Sequence, residues 1–187
     1  MKSLVLAAVI MFAGAGQSLD IVPIKEWGGS ELQYKNELET PLRFAIVHHT
    51  VTNECSTDEE CVSLLNNLRG FYIQSQIGWG DVPYSFMIGG NGKVYEGAGW
   101  HNSGAHTFLY NQRSIGIGFL GDFREKTPTP EALQAAQDLL NFGLENNYLW
   151  DDYKLLGAQQ IVNTISPGDP LQKVIEGWPH WAENPFF

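Results

Sequence analysis

Five histidines, two cysteines and one glycine-rich run are the residues whose chemistry could go beyond packing. The histidines are His48, His49, His101, His106 and His180. A zinc site needs three or four nitrogen, sulfur or oxygen donors converging tetrahedrally. His48 and His49 are adjacent, and on a regular strand adjacent side chains face opposite sides, so both cannot enter one cleft. Cys55 and Cys61 enclose only Ser56-Thr57-Asp58-Glu59-Glu60, with no histidine nearby in sequence, which makes them a weak metal pair. Gly116-Ile-Gly118-Phe-Leu-Gly121 formally matches a dinucleotide fingerprint. The context fails, because the glycines lie inside a strand pattern and Asp122 stands where a phosphate-binding helix would open. Glycine inside a strand instead marks a bulge or a close approach of another group.

The elements that would position these residues can be read from patterning. Phe44–Thr50 is β-branched and apolar before turning polar, a buried strand carrying two histidines to its C-terminal end. Thr57-x-x-Glu60 is a capping box ahead of Val62, Leu65, Leu68 and Tyr72 at helical spacing. Residues 84–88 and 93–96 flank Gly89-Gly90-Asn91-Gly92, whose Asn-Gly pair signals a hairpin. Ser114–Leu120 predicts a further buried strand. Thr129-Pro130-Glu131 opens a second helix with Leu133, Ala136, Leu140 and Leu144 as its apolar face. Lys154–Gly157 predicts a short strand, and Pro170 starts a last helix with Leu171, Val174, Ile175 and Trp178 inward. The expected architecture is α/β: one domain with a central mixed sheet flanked by about three helices.

The chain has 187 residues and a formal net charge of −10, the size of a single core with the wrong sign for DNA, RNA or anionic lipid as main partner. Met1-Lys2-Ser3, the apolar run Leu4–Ala13 and the small residues after it have the three zones of a secretory signal peptide. The run is too short for a membrane span. Residues 1–18 are thus assigned as signal, with cleavage after Ala15 or Ser18, and 19–187 as the domain of a secreted, extracellular protein without a membrane span. In that oxidising setting Cys55 and Cys61 are expected to pair.

Several ordered blocks are more specific. Val47-His48-His49-Thr50, Gly78-Trp79-x-Asp81-Val82-x-Tyr84-x-Phe86, Gly89-Gly90-x-Gly92-x-Val94-Tyr95-Glu96-Gly97 and Gly104-Ala105-His106-Thr107 are followed by Asn111, Ser114-Ile115-Gly116-Ile117, Ser166-Pro167-Gly168 and Trp178-Pro179-His180-Trp181. From about Ile21 to Trp181 the chain resembles the peptidoglycan recognition proteins. The resemblance implies an amidase-like domain whose cleft holds a muramyl peptide. It also implies a short disulfide after the His-His-Thr strand, and ligand contacts at His48, Gly78, Trp79, Tyr84, His106, Asn111 and Thr164.

Catalytic members of that family are zinc amidases, in which the metal generates a nucleophile from bound water. By the same resemblance His48 occupies the first zinc-ligand position, whereas the second and third are Ala158 and Ser166. Ala158 has no donor atom, and a neutral hydroxyl is a far poorer ligand than a thiolate. The expectation is therefore no metal, no cofactor, no catalytic residue and no hydrolysis, with zinc-dependent N-acetylmuramoyl-L-alanine amidase as the alternative. Ser166 as a nucleophile would need a base and an oxyanion hole, of which the sequence shows no sign. The function expected is a pattern-recognition receptor for bacterial peptidoglycan that triggers innate immune signalling, of the Toll type, through secreted partners. On ligand subtype the resemblance points both ways. Gly78-Trp79 is similar to members preferring diaminopimelic-type peptidoglycan, whereas Ala98 stands where those members carry an arginine for the extra carboxylate.

Overall fold

The structure is a computed structural model and describes residues 19–30, 36–75 and 81–186. The signal segment, Gly78 and Trp79 lie outside the described residues. Six strands form one mixed sheet: β1 (Ile21–Val22), β2 (Leu42–His49), β3 (Phe86–Ile88), β4 (Val94–Glu96), β5 (Ser114–Phe119) and β6 (Leu149–Gly157). Three helices accompany it, α1 (Asp58–Gln74), α2 (Pro130–Glu145) and α3 (Asp169–Ile175). Across the sheet the order is β1-β4-β3-β5-β2-β6. β3 and β4 form the antiparallel hairpin expected around Asn91-Gly92, and all other pairings are parallel.

Alternation along β2 and β5 sorts the residues onto two faces. Ala45 and Val47 of β2, with Ile115, Ile117 and Phe119 of β5, join Leu139 and Leu140 of α2 and Leu171 and Ile175 of α3 in the larger core. On the opposite face Met87 and Tyr95 pack beneath Leu65 and Leu68 of α1, together with Trp27 and the cystine. That second core covers the β3–β4 side. Where it ends, β5 presents only Ser114, Gly116 and Gly118 between its large side chains, and β2 presents His48.

Local rules explain the helix starts. Thr57 Oγ1 accepts from the Glu60 N–H at 3.2 Å while the Glu60 carboxylate accepts from Thr57, closing the predicted capping box. Cys55–Cys61 is bonded, tying the first turn of α1 to the chain that leaves β2. Thr129 caps α2 with Pro130 in its first turn.

Two expectations need correction, and a third is refined. β6 begins at Leu149, five residues before the expected start, because exposed Trp150-Asp151-Asp152 on an edge strand breaks the apolar alternation. Helix α2 buries Ala132, Ala135, Ala136, Leu139, Leu140 and Gly143, so the expected Ala136 and Leu140 lie in the core while Leu133 and Leu144 pack half-buried at its edge. Helix α3 ends at Ile175, so Trp178 packs from the following turn, not from the helix. Two-residue β1 was too short to announce itself.

Candidate functional site

The site lies on the α1-side face of the sheet, at the C-terminal end of β2. His48 is 6% exposed there, and its neighbour His49 turns to the other face, where its Nδ1 accepts the Phe123 N–H at 3.1 Å. The two histidines are divided between the faces as strand alternation requires.

Glycines let two rings lie flat on β5. A Cβ at Gly116 would stand 2.3 Å from His106 Cγ, and one at Gly118 would stand 2.8 Å from Tyr84 Cδ2. This is the physical content of the Gly-x-Gly pattern: room for an imidazole and a phenol, not for a phosphate. The loop carrying His106 is pinned by the Ala105 N–H, which donates to Pro83 O at 2.8 Å. Tyr84 is set by its own main chain, whose carbonyl accepts from Ala98 N at 3.0 Å. The segment before it is anchored by buried Asp81, which accepts from Arg69 Nε at 2.8 Å and from the Val82 N–H at 2.8 Å.

His48, Tyr84 and His106 therefore converge. The His48 ring centre is 5.5 Å from that of Tyr84 and 5.6 Å from that of His106. Between the histidines sits Thr107, whose Oγ1 is 2.9 Å from His48 Nε2 and 3.0 Å from His106 Nδ1. Burial, reinforced by each other's presence, holds His48 well below 6.5. Burial takes His106 down to about 3, against a smaller opposing effect of the Ser114 main chain. Both imidazoles are neutral at physiological pH. Burial and then the neighbouring Tyr72 phenol push Tyr84 well above 10, so it remains a hydroxyl. The centre is an uncharged cluster of donors and acceptors.

Asn111 lies at the base of the same loop. Its Oδ1 accepts the Thr107 N–H at 2.7 Å, bracing a tip where Phe108 is 78% and Leu109 73% exposed. Thr164 is exposed on the loop after β6, and its Oγ1 accepts the Ser166 N–H at 3.2 Å. Thr107 was not singled out from sequence. Its signal was a hydroxyl residue directly after a histidine in a glycine-led loop.

The zinc question can be tested on the donors. Val47 pairs with Gly157 in the parallel β2–β6 register, so Ala158 follows alongside His48, fully buried with only a methyl group. Ser166 is also here, 9% exposed, with its Oγ accepting the His49 N–H at 3.0 Å. His48 Nε2 is engaged by Thr107. Among the described residues no three His, Cys, Asp or Glu side chains are grouped so as to hold a metal ion. These residues do not fit zinc, whose sites use three or four protein ligands.

Comparison with known proteins identifies the family. The family model described as N-acetylmuramoyl-L-alanine amidase matches residues 38–169, more than half of the chain. The peptidoglycan-recognition protein SA of Drosophila melanogaster is 40% identical over 185 residues, covering 95% of this chain and 91% of that one. The chain belongs to the peptidoglycan recognition protein family. Among solved structures, that of bumblebee PGRP-SA superposes with a TM-score of 0.86 at 43% identity, covering 89% of this chain and 99% of that one. A human PGRP-IβC in complex with glycosamyl muramyl pentapeptide superposes with a TM-score of 0.82 at 35% identity, covering 87% and 98%. As a peptidoglycan recognition protein the chain has the fold of an amidase family, and the expected cystine, Cys55–Cys61, is in place. Among the described residues no helix is long and apolar enough to cross a membrane.

Proposed function

We propose that this protein is a secreted receptor that binds bacterial peptidoglycan through its muramyl peptide without hydrolysing it, and that it hands the signal to innate immune partners, in the manner of Toll-type signalling. The observation that carries the reading is the chemistry of the cleft floor. His48, His106, Thr107 and Tyr84 supply neutral hydrogen-bonding groups beside apolar ring faces, while the places flanking His48 hold Ala158 and an already engaged Ser166 hydroxyl. A carbohydrate-linked peptide offers many amides and hydroxyls and few apolar groups, and such ligands are oriented by a small number of fixed polar contacts. Hydrolysis would need an activated water, and no group at this centre carries the charge to activate one. The human relative bound to a glycosamyl muramyl pentapeptide supports the ligand class. Thr164, Asn111, Gly78 and Trp79 complete the proposed ligand-binding set.

The test is a co-sedimentation assay with insoluble peptidoglycan of diaminopimelic and Lys types. Mass spectrometry of the supernatant and metal analysis of the protein accompany it. Saturable binding with no released stem peptide is expected. Chelator-sensitive release of stem peptides would overturn the reading in favour of the amidase. Sequencing of the mature N-terminus from secreting cells tests export, with Gly16 or Leu19 expected first.

A further inference from the structure

Thr107 does more than fill space between two rings. Its hydroxyl has one hydrogen, yet Oγ1 lies within bonding distance of two imidazole nitrogens, His48 Nε2 at 2.9 Å and His106 Nδ1 at 3.0 Å. Both rings are neutral, so each has one N–H and one lone pair. The hydroxyl can donate to one nitrogen only, and the other must donate to it. If Thr107 donates to His48 Nε2, His48 carries its proton on Nδ1, and His106 must also be protonated on Nδ1 to complete the bridge. If Thr107 donates to His106, both rings carry the proton on Nε2. One hydroxyl makes the two tautomers the same.

Burial decides between the two. His106 Nε2 is buried with no hydrogen-bond partner. A buried N–H left without an acceptor is the less tolerated of the two orphans, compared with a lone pair. The proton therefore belongs on Nδ1, which has Thr107 Oγ1 as acceptor. The hydroxyl then points to His48 Nε2, leaving His48 with N–H at Nδ1.

We propose that Thr107 is a positioning residue of the cleft, locking His48 and His106 into matched Nδ1–H tautomers. The ligand then meets His48 in one fixed form, with an N–H at Nδ1 complementary to an acceptor such as an amide carbonyl or a sugar oxygen provides, while the His106 lone pair stays buried beneath it. The proposal rests on the peptidoglycan-binding reading for its ligand, but its central statement concerns the free protein.

The experiment uses the mature protein labelled with ¹⁵N-histidine, observed at pH 7 by two- and three-bond ¹H–¹⁵N correlation. Both rings are expected to show protonated Nδ1 and unprotonated Nε2. In Thr107→Val, which keeps the shape and removes the hydroxyl, at least one ring relaxes to a mixture, and Thr107→Ser restores the pattern. Affinity for a soluble muramyl tripeptide, by calorimetry, falls about tenfold in Thr107→Val, the loss of roughly one oriented hydrogen bond, and recovers in Thr107→Ser. Unlike or mixed tautomers in the unaltered protein overturn the proposal, whether or not the valine variant folds. So does a valine variant with unchanged spectrum or unchanged affinity. If the unaltered protein binds no muramyl peptide, the function proposed above fails, while the spectrum still decides the role of Thr107.

Discussion

Adding one methyl group to β5 offers a sharp test of how the cleft is built. In Gly116→Ala the new Cβ meets His106 Cγ at 2.3 Å, Cδ2 at 2.5 Å and Nδ1 at 2.7 Å. These contacts are to the body of a rigid ring, not to the end of a flexible chain, so the ring must lift from the sheet. Lifting it stretches the 3.0 Å contact with Thr107 and disturbs a close-packed site. Overpacking of this kind costs about 1–3 kcal/mol. For a domain of this length that lowers Tm by roughly 2–12 °C. Gly70 supplies the opposite control. It lies in α1 with open space around its missing Cβ, and Gly→Ala in a helix interior stabilises by about 0.5–1 kcal/mol. Urea melts followed by tryptophan fluorescence should place Gly116→Ala below the unaltered protein and Gly70→Ala above it, with equal m-values. Gly116→Ala should also lose muramyl-peptide affinity, which Gly70→Ala keeps. An alanine at 116 that melts within about 0.5 kcal/mol of the parent would refute the claim that His106 rests on bare backbone.

Acid should weaken the fold from neutral pH downward. His48 and His106 have folded pKa values depressed by burial, His106 to about 3, so below about 6.5 the unfolded chain binds protons that the folded one does not. Stability is fully present above that pH and falls toward pH 3 by up to about 1.4 kcal/mol per pH unit for each histidine, and urea melts that are flat from pH 7 to 5 would contradict it. Reducing Cys55–Cys61, or replacing both by alanine, should cost about 2 kcal/mol by the closure of so short a loop, read as a lower Tm in reductant. The double variant Ala158→His with Ser166→Cys should gain a stoichiometric zinc ion, measurable by elemental analysis, because it adds two strong donors alongside His48; the parent should bind none.

Much of this arrangement was legible in the chain itself. β2 was recognisable because the four apolar residues Phe44–Val47 precede His48, and the capping box of α1 was written in Thr57 and Glu60. The glycines of β5 were readable as sites of close approach, yet not which rings would approach, since His106 and Tyr84 arrive from loops whose paths depend on Pro83 and Ala105. The early start of β6 was hidden because Asp151 and Asp152 face solvent on an edge, where polarity carries no penalty. Thr107 was invisible as a bridge for a different reason. Its importance is a distance to His48, 59 residues away, and residue type alone does not encode that distance.

The order of the strands also governs when the cleft can come into being. β2, near the start of the domain, lies between two parallel neighbours made much later, and Val47 meets Gly157 only after about 110 further residues have been added. At ribosomal speeds of about 5–20 residues per second, the strand bearing His48 waits roughly 5–20 s for its last partner. Until then its apolar edge needs shelter, and the wall formed by Ala158 and Ser166 does not exist. The pocket around His48 is thus a feature of the finished chain, closed only when β6 docks beside β2.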